Sequence, residues 1–279
     1  ESLNMANADI KTMKLYHHIE RVYNELRELG KSDKDALQVE ELTAFDQMHY
    51  HGTAAVDEAV RLAGIGPATS VLEIGSGLGG PARHIAHTVG APVTALELQD
   101  DQHRLAAELT ERCGLSSRVD HVCGDILSYD WAGRTFDVVV SWLALYHIPH
   151  RRQLLEKCLD LLNPGGVFFA EDLFCRQSFS DDEWAEVSTE LYAQYLPDFE
   201  GYRLDLENAG FVSINCKDMS DDWGEFTRGR MTTYREQKVR HLRVHGESIF
   251  AGLDAFYDIV VGYFSSGQLG GIRVIANKI

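Results

Sequence analysis

Positive charge is scarce in this chain. Its 279 residues include 26 Lys and Arg against 43 Asp and Glu, which gives a formal net charge of −17. Such a balance repels a phosphate backbone, so nucleic acid is not an expected partner. No apolar run approaches the roughly 18 residues of a membrane span, and the first residues lack the basic-then-apolar pattern of a signal peptide. These absences predict a cytoplasmic protein without a membrane span.

Cysteine is also sparse, and its arrangement argues against disulfide bonds and against a zinc site. The five cysteines are odd in number and scattered, with no CxxC pair and no Cys/His cluster at zinc spacing. We therefore expect reduced thiols and no metal site. A hydrophobic share of 44% is sufficient for a packed globular core.

Short apolar segments alternate with helical ones through the middle of the chain. Strands are expected at Val71–Ile74, Pro92–Glu97, Val119–Cys123, Phe136–Ser141 and Val167–Ala170, and helices at Pro81–Val89, Asp101–Cys113 and Arg151–Leu162. This order predicts an α/β fold, a Rossmann-like doubly wound and mostly parallel sheet. Two further strands are expected side by side at Phe211–Cys216 and Gly271–Ala276.

Both ends of the chain are expected to form caps on this core. Leu15, Ile19, Val22, Leu26 and Leu29 are spaced as on an amphipathic helix that ends at Gly30. The predicted division is a helical N-terminal cap over residues 1–54, a core over 55–176, and a helical C-terminal cap over 177–279 whose strands complete the sheet.

The strongest motif is the glycine turn after the first core strand, Gly75-Ser76-Gly77-Leu78-Gly79-Gly80. Glycine lets the backbone approach a ligand closely, and the following helix offers free N–H groups. The pattern alone fits a dinucleotide equally well, so a nicotinamide or flavin enzyme stays open at this point.

Two acids follow the next two strands. Glu97 can accept hydrogen bonds from both hydroxyls of a ribose, and Asp125 can accept one from an adenine amino group while Ile126 packs on the ring. Ligands of doubly wound folds bind at these strand ends, so three such features in succession predict an adenosine-containing ligand.

The ordered motifs resemble class I S-adenosylmethionine-dependent methyltransferases. The likeness rests on VLEIGSGLGG, Glu97, GDI at 124–126, FDVVVSWLALYHI at 136–148 and LNPGGVFFAED at 162–172. Within that family, DQMHYHG at 46–52 and GGPAR at 79–83 resemble sarcosine/dimethylglycine, phosphoethanolamine, tocopherol and sterol C-methyltransferases. The segment SGQLGG at 266–271 is similar to the sarcosine/dimethylglycine N-methyltransferase group.

The resemblance implies roles for individual residues around S-adenosyl-L-methionine as cofactor. Gly75, Ser76 and Gly77 would line the methionine part, Glu97 and Leu98 the ribose, Asp125 and Ile126 the adenine, and Ser141 the methionine carbonyl region. Gln47 and Tyr50 would close the site from the N-terminal cap.

His147 is the candidate base, with Tyr50 as a second catalytic candidate. Phosphoethanolamine methyltransferases carry a comparable histidine paired with a cap tyrosine, but their Arg-Asp pair is replaced here by Trp142-Leu143, which argues against that substrate. His147 is equally compatible with a structural role at a helix start. Trp142, Tyr146 and Asp172 are the expected substrate-binding residues, because aromatic faces stabilise a growing cation and Asp172 ends a strand beside the cofactor turn.

The predicted function is methyl transfer to a small molecule, preferably an amine such as sarcosine or dimethylglycine. An acceptor with a carboxylate would need an arginine, and Arg83, Arg230 and Arg273 are the candidates. Alternatives are an O- or C-methyltransferase acting on a natural product, phenol or lipid, a dinucleotide-dependent oxidoreductase, and a regulatory protein that keeps the cofactor pocket. A homodimer is compatible with the sequence.

Overall fold

The computed structural model describes Ile10 and residues 13–279, and a seven-stranded sheet forms its centre. The strands are β1 (Val71–Ile74), β2 (Val93–Glu97), β3 (Val119–Cys123), β4 (Phe136–Trp142), β5 (Leu162–Cys175), β6 (Val212–Asp218) and β7 (Leu269–Asn277). Their order across the sheet is β3-β2-β1-β4-β5-β7-β6. Strands β1 to β5 run parallel, whereas β7 lies antiparallel to both β5 and β6. The predicted Rossmann-like α/β fold is confirmed.

Helices flank the sheet and extend beyond it at both ends of the chain. They are α1 (Arg21–Glu28), α2 (Val39–Leu42), α3 (Gly52–Ala63), α4 (Gly80–Thr88), α5 (Asp100–Arg112), α6 (Arg151–Leu161), α7 (Asp181–Glu190), α8 (Phe199–Ala209), α9 (Ser220–Glu236), α10 (Lys238–His245) and α11 (Glu247–Ser266). No described helix is long and apolar enough to cross a membrane.

The central strands are apolar on both faces, as buried parallel strands require. Every residue of β1 and β2 is buried, and six of the seven in β4 are buried as well. Because β1, β2 and β4 are parallel neighbours, their carboxyl ends meet at one edge of the sheet. Ligands of doubly wound folds bind at that edge.

The boundaries of three elements differ from the prediction. The N-terminal helix is shorter, because Lys14–Tyr16 forms a separate 3-10 turn and α1 starts only at Arg21. Strand β5 begins at Leu162, directly after α6, and continues to Cys175 through the expected turn. The 20-residue helix α11 lies within the predicted helical C-terminal cap, although the prediction places no individual helix there.

The two ends of the chain meet over the carboxyl edge of the sheet. Met13 and Tyr50 from the N-terminal part share one buried cluster with Trp223, Phe256 and Val260 from α9 and α11. At the outer surface, Arg240 of α10 pairs with Glu25 of α1 at 2.6 Å. The two caps therefore form one cover over the edge where the glycine turn lies.

Candidate active site

A cavity of about 460 Å³ lies beneath this cover. Its floor is formed by the ends of β1, β2 and β4 and the turns that follow them, and its roof by the two caps. Lining residues come from the glycine turn, from the segments around Glu97, Asp125 and Trp142, and from α9 and α11. The cavity therefore joins the predicted cofactor residues to a more apolar end under the caps.

The glycine turn is held open by its backbone conformation and by Glu97. Gly75 and Gly77 have φ values of 72° and 52°, a region that side chains disfavour. A Cβ on Gly75 would lie 2.3 Å from the Cβ of Ala144, so no larger residue fits there. One carboxylate oxygen of Glu97 accepts from the backbone N–H of Gly77 at 2.7 Å, and the other accepts from that of Gln99 at 2.9 Å. Glu97 thus fixes the turn as well as facing the cavity.

Several buried polar atoms around this turn have no hydrogen-bond partner among the described residues. They are Glu73 Oε2, Ser76 Oγ, Gln99 Oε1 and Gln102 Oε1, all on residues that line the cavity. Buried polar atoms are nearly always paired, so four unpaired ones around one cavity indicate a polar ligand. Burial also raises the pKa of the Glu73 carboxyl well above its usual value.

Asp125 and Ile126 border the other side of the cofactor end. One Asp125 oxygen accepts from the backbone N–H of Leu127 at 2.8 Å, which fixes the carboxylate at the cavity wall. Ile126 is buried beside it and also lines the cavity. An adenine needs a hydrogen-bond acceptor for its amino group beside an apolar surface for its ring. These residues and the unpaired polar atoms therefore fit an adenosine-containing cofactor.

At the apolar end, His147 is held by two hydrogen bonds. Its Nδ1 lies 2.9 Å from the carbonyl oxygen of Tyr192 and its Nε2 lies 3.2 Å from the hydroxyl of Tyr16. A carbonyl only accepts, so Nδ1 carries the proton and Nε2 accepts from Tyr16. Burial lowers the pKa of His147 to about 4, and the ring is therefore neutral at pH 7.

Most of the predicted site residues line this cavity. They are Tyr50, Gly75, Ser76, Gly77, Glu97, Leu98, Asp125, Ile126, Trp142, Tyr146 and His147. Their individual roles stay predictions.

Three predicted residues do not line it. The Ser141 hydroxyl donates to the carbonyl of Ile74 at 2.8 Å and so joins β4 to β1. The Gln47 side chain donates to Asp46. The prediction for Asp172 needs correction, because its carboxylate is fully buried against Arg151 at 3.2 Å and accepts from the Tyr202 hydroxyl. Asp172 holds the packing behind the site instead of facing a substrate.

Sequence reasoning missed several residues of the site, of which Tyr16 and Glu73 matter most for its chemistry. Tyr16, not Tyr50, is the cap tyrosine that bonds His147. Tyr50 instead lies under the guanidinium of Arg230, whose central carbon is 5.1 Å from the ring centre. Glu73 belongs to the first motif but was given no role. An acid within an otherwise apolar strand was the available indication that it belongs to the site.

Three side chains of the kinds that bind metal ions lie close together outside the cavity. The ligand atoms of Glu25, His241 and His245 lie within 4.8 Å of one another. Glu25 already pairs with His245 at 2.7 Å and with Arg240 at 2.6 Å. Those contacts already occupy both carboxylate oxygens of Glu25 within the protein.

Comparison with known proteins agrees with this geometry. Residues 71–166 match a family model described as a methyltransferase domain. A glycine/sarcosine/dimethylglycine N-methyltransferase from Actinopolyspora halophila is 29% identical over 61% of the chain and 30% of its own length. A 24-methylenesterol C-methyltransferase from Arabidopsis thaliana is 27% identical over 75% of the chain and 57% of its own length.

Among solved structures, a Haemonchus contortus phosphoethanolamine N-methyltransferase bound to phosphomonomethylethanolamine and S-adenosylhomocysteine superimposes with a TM-score of 0.78. Its sequence is 20% identical, and the match covers 91% of this chain and 60% of that one. The chain thus spans less than two thirds of the length of each of these three proteins.

These three proteins are methyltransferases, not oxidoreductases, and one of them agrees with the likeness to the sarcosine/dimethylglycine group. The methyltransferase domain matched over residues 71–166 agrees with the predicted family and enzyme class, and the ligand of the Haemonchus contortus structure agrees with the predicted cofactor.

Proposed function

We propose that this protein transfers a methyl group from S-adenosylmethionine to a small organic acceptor. The observation that carries the proposal is the cavity, in which residues suited to bind adenosine at one end are continuous with the Tyr16–His147 pair at the other. When bound, the cofactor supplies an electrophilic methyl group on sulfur.

The cofactor end supplies complementary groups for each part of that molecule. The Glu97 carboxylate would hold the ribose hydroxyls, and Asp125 with Ile126 would hold the adenine. The glycine turn would admit the methionine part, where Glu73 and Ser76 offer the unpaired oxygen atoms. Positioning is the main requirement of an in-line displacement, so this rigid cradle is expected to supply most of the acceleration.

The Tyr16–His147 pair provides a route for the proton that the acceptor loses. His147 is neutral and its Nε2 accepts from Tyr16, so the Tyr16 oxygen can receive a proton from the acceptor as its own proton passes to Nε2. The Tyr192 carbonyl then stabilises the resulting imidazolium through Nδ1. Tyr192 has a φ of 50°, an unusual conformation for a bulky residue, which directs this carbonyl at the histidine.

The acceptor is proposed to be an amine such as sarcosine or dimethylglycine. A second candidate, a phenol, lipid or other natural product methylated on oxygen or carbon, is favoured by the lining of the acceptor end. That lining is mostly apolar and includes Met13, Leu143, Leu173, Phe256 and Val260. Such walls fit a larger apolar body.

Incubation with methyl-labelled S-adenosylmethionine and a panel of acceptors tests the proposal. The panel contains sarcosine, dimethylglycine, phosphoethanolamine and several phenols, and the product is identified by mass spectrometry. His147→Asn should bind S-adenosylhomocysteine normally and turn over slowly, while His87→Asn, at an exposed position on α4, serves as the matched control. A protein that binds S-adenosylhomocysteine but methylates no acceptor in a broad panel contradicts the catalytic assignment.

A further inference from the structure

Arg230 is the one positively charged side chain other than histidine among the described residues that line the cavity. It projects from α9, and its guanidinium carbon lies 4.4 Å from the ring centre of Tyr257, 5.1 Å from that of Tyr50 and 5.8 Å from that of Phe226. These three rings surround the guanidinium and stabilise its positive charge.

The charge of Arg230 is not neutralised by an acid. Among the described residues, no carboxylate lies within ion-pair distance of the Arg230 guanidinium, and its Nε atom is buried without a hydrogen-bond partner. In a chain with a net charge of −17, an arginine at a cavity wall without an acidic partner is unusual. A buried donor without an acceptor costs free energy, which an anionic ligand would recover.

The other two arginines considered from the sequence have acidic partners. Arg83 is fully buried and pairs with Asp46 at 3.0 Å. Arg273 pairs with Glu171 at 2.7 Å and with Glu58 at 3.3 Å. Neither lines the cavity, so Arg230 alone of the three faces the space that a methyl acceptor would occupy.

We propose that Arg230 binds a carboxylate group of the methyl acceptor. This inference rests on the proposed function and narrows its substrate class to acceptors with an apolar body and a carboxylate. The planar fork of an arginine matches the two oxygens of a carboxylate. Because the neighbouring walls are apolar, this group and the Tyr16–His147 pair are the polar contacts that would orient the acceptor.

A binding experiment with simple probes tests the inference without knowledge of the natural acceptor. Phenylacetate and 2-phenylethanol have similar bodies and differ in charge. Calorimetric titration of the protein saturated with S-adenosylhomocysteine should show phenylacetate binding about tenfold or more tighter than the alcohol, the usual effect of a charge-assisted hydrogen bond. Arg230→Met should abolish this preference, and Arg230→Lys should keep part of it.

Arg228→Met is the matched control, because Arg228 is exposed two positions earlier on the same helix and does not line the cavity. The inference is overturned if phenylacetate fails to bind the loaded wild-type protein, if the preference survives in Arg230→Met, or if Arg228→Met has the same effect. It is also overturned if Arg230→Met weakens S-adenosylhomocysteine binding more than phenylacetate binding, since Arg230 would then hold the cofactor's own carboxylate. Failure of the wild-type protein to bind S-adenosylhomocysteine at all instead refutes the proposed function.

Discussion

Replacement of Glu97 by alanine should weaken cofactor binding measurably. The carboxylate is buried, lines the cavity, and is already oriented by the N–H groups of Gly77 and Gln99 at 2.7 and 2.9 Å. Hydrogen bonds to a charged group contribute about 1.5–3 kcal/mol, so the loss of the ribose contacts should raise the Kd for S-adenosylhomocysteine roughly 10- to 150-fold. Calorimetric titration measures this directly.

The same substitution removes the acceptor of two backbone N–H groups, so part of the loss could arise from a disordered glycine turn. A 2′,3′-dideoxy analogue of S-adenosylhomocysteine separates the two effects. The wild-type protein should prefer the complete ribose by about the same 1.5–3 kcal/mol, whereas Glu97→Ala should bind both ligands equally. Glu111→Ala, exposed on α5, is the control and should change neither affinity. A ribose preference that persists in Glu97→Ala would refute the assignment of Glu97 to the ribose.

Three further predictions concern the base and the packing behind it. His147→Asn and Tyr16→Phe should each lower kcat about 10²- to 10⁴-fold with little change in the affinity for S-adenosylhomocysteine. Because both residues serve one proton route, the double variant should be no slower than the slower single variant. Additive losses of kcat would contradict that shared route. Because burial lowers the pKa of His147 to about 4, its ring should stay deprotonated as the pH drops from 7 through 6.5, the usual pKa of a histidine. The pH profile of kcat should therefore show no fall near pH 6.5, and such a fall would contradict the depressed pKa. Arg151→Met should lower the free energy of unfolding in urea by about 3–5 kcal/mol, because it leaves the Asp172 carboxylate buried without its cation. Arg152→Met, the control at an exposed ion pair, should lower it by under about 1 kcal/mol. Equal losses would show that the buried pair has no special role.

The depressed pKa of His147 also has a consequence for stability. The unfolded chain takes up this proton near pH 6.5 and the native state only near pH 4. Between those values the unfolded state binds more protons, so stability falls as pH drops through this window. The histidine thus remains an available base near neutral pH, at the expense of acid stability.

The sequence predicted the sheet and the cofactor end well because both depend on local patterns. The apolar run Phe136–Ser141 and the glycine turn from Gly75 each specify a backbone geometry within a few residues. Glu97 ends β2 and Asp125 lies just after β3, so their position at the carboxyl edge needs no knowledge of distant contacts.

The acceptor end could not be predicted in the same way, since long-range contacts determine it. Tyr16 reaches His147 across 131 positions of sequence, and no local pattern selects it over Tyr50. The role of Asp172 depends on Arg151 and Tyr202, which return to it from α6 and α8. Likewise, only the fold shows that Arg230 lacks an acidic partner while Arg83 and Arg273 have one.

A crystal structure of the protein with S-adenosylhomocysteine tests the central claim most directly. The account predicts the ribose hydroxyls within hydrogen-bond distance of Glu97, the adenine between Asp125 and Ile126, and the sulfur directed toward the Tyr16–His147 pair. Electron density for the ligand elsewhere, or bound with its ribose away from Glu97, would contradict it.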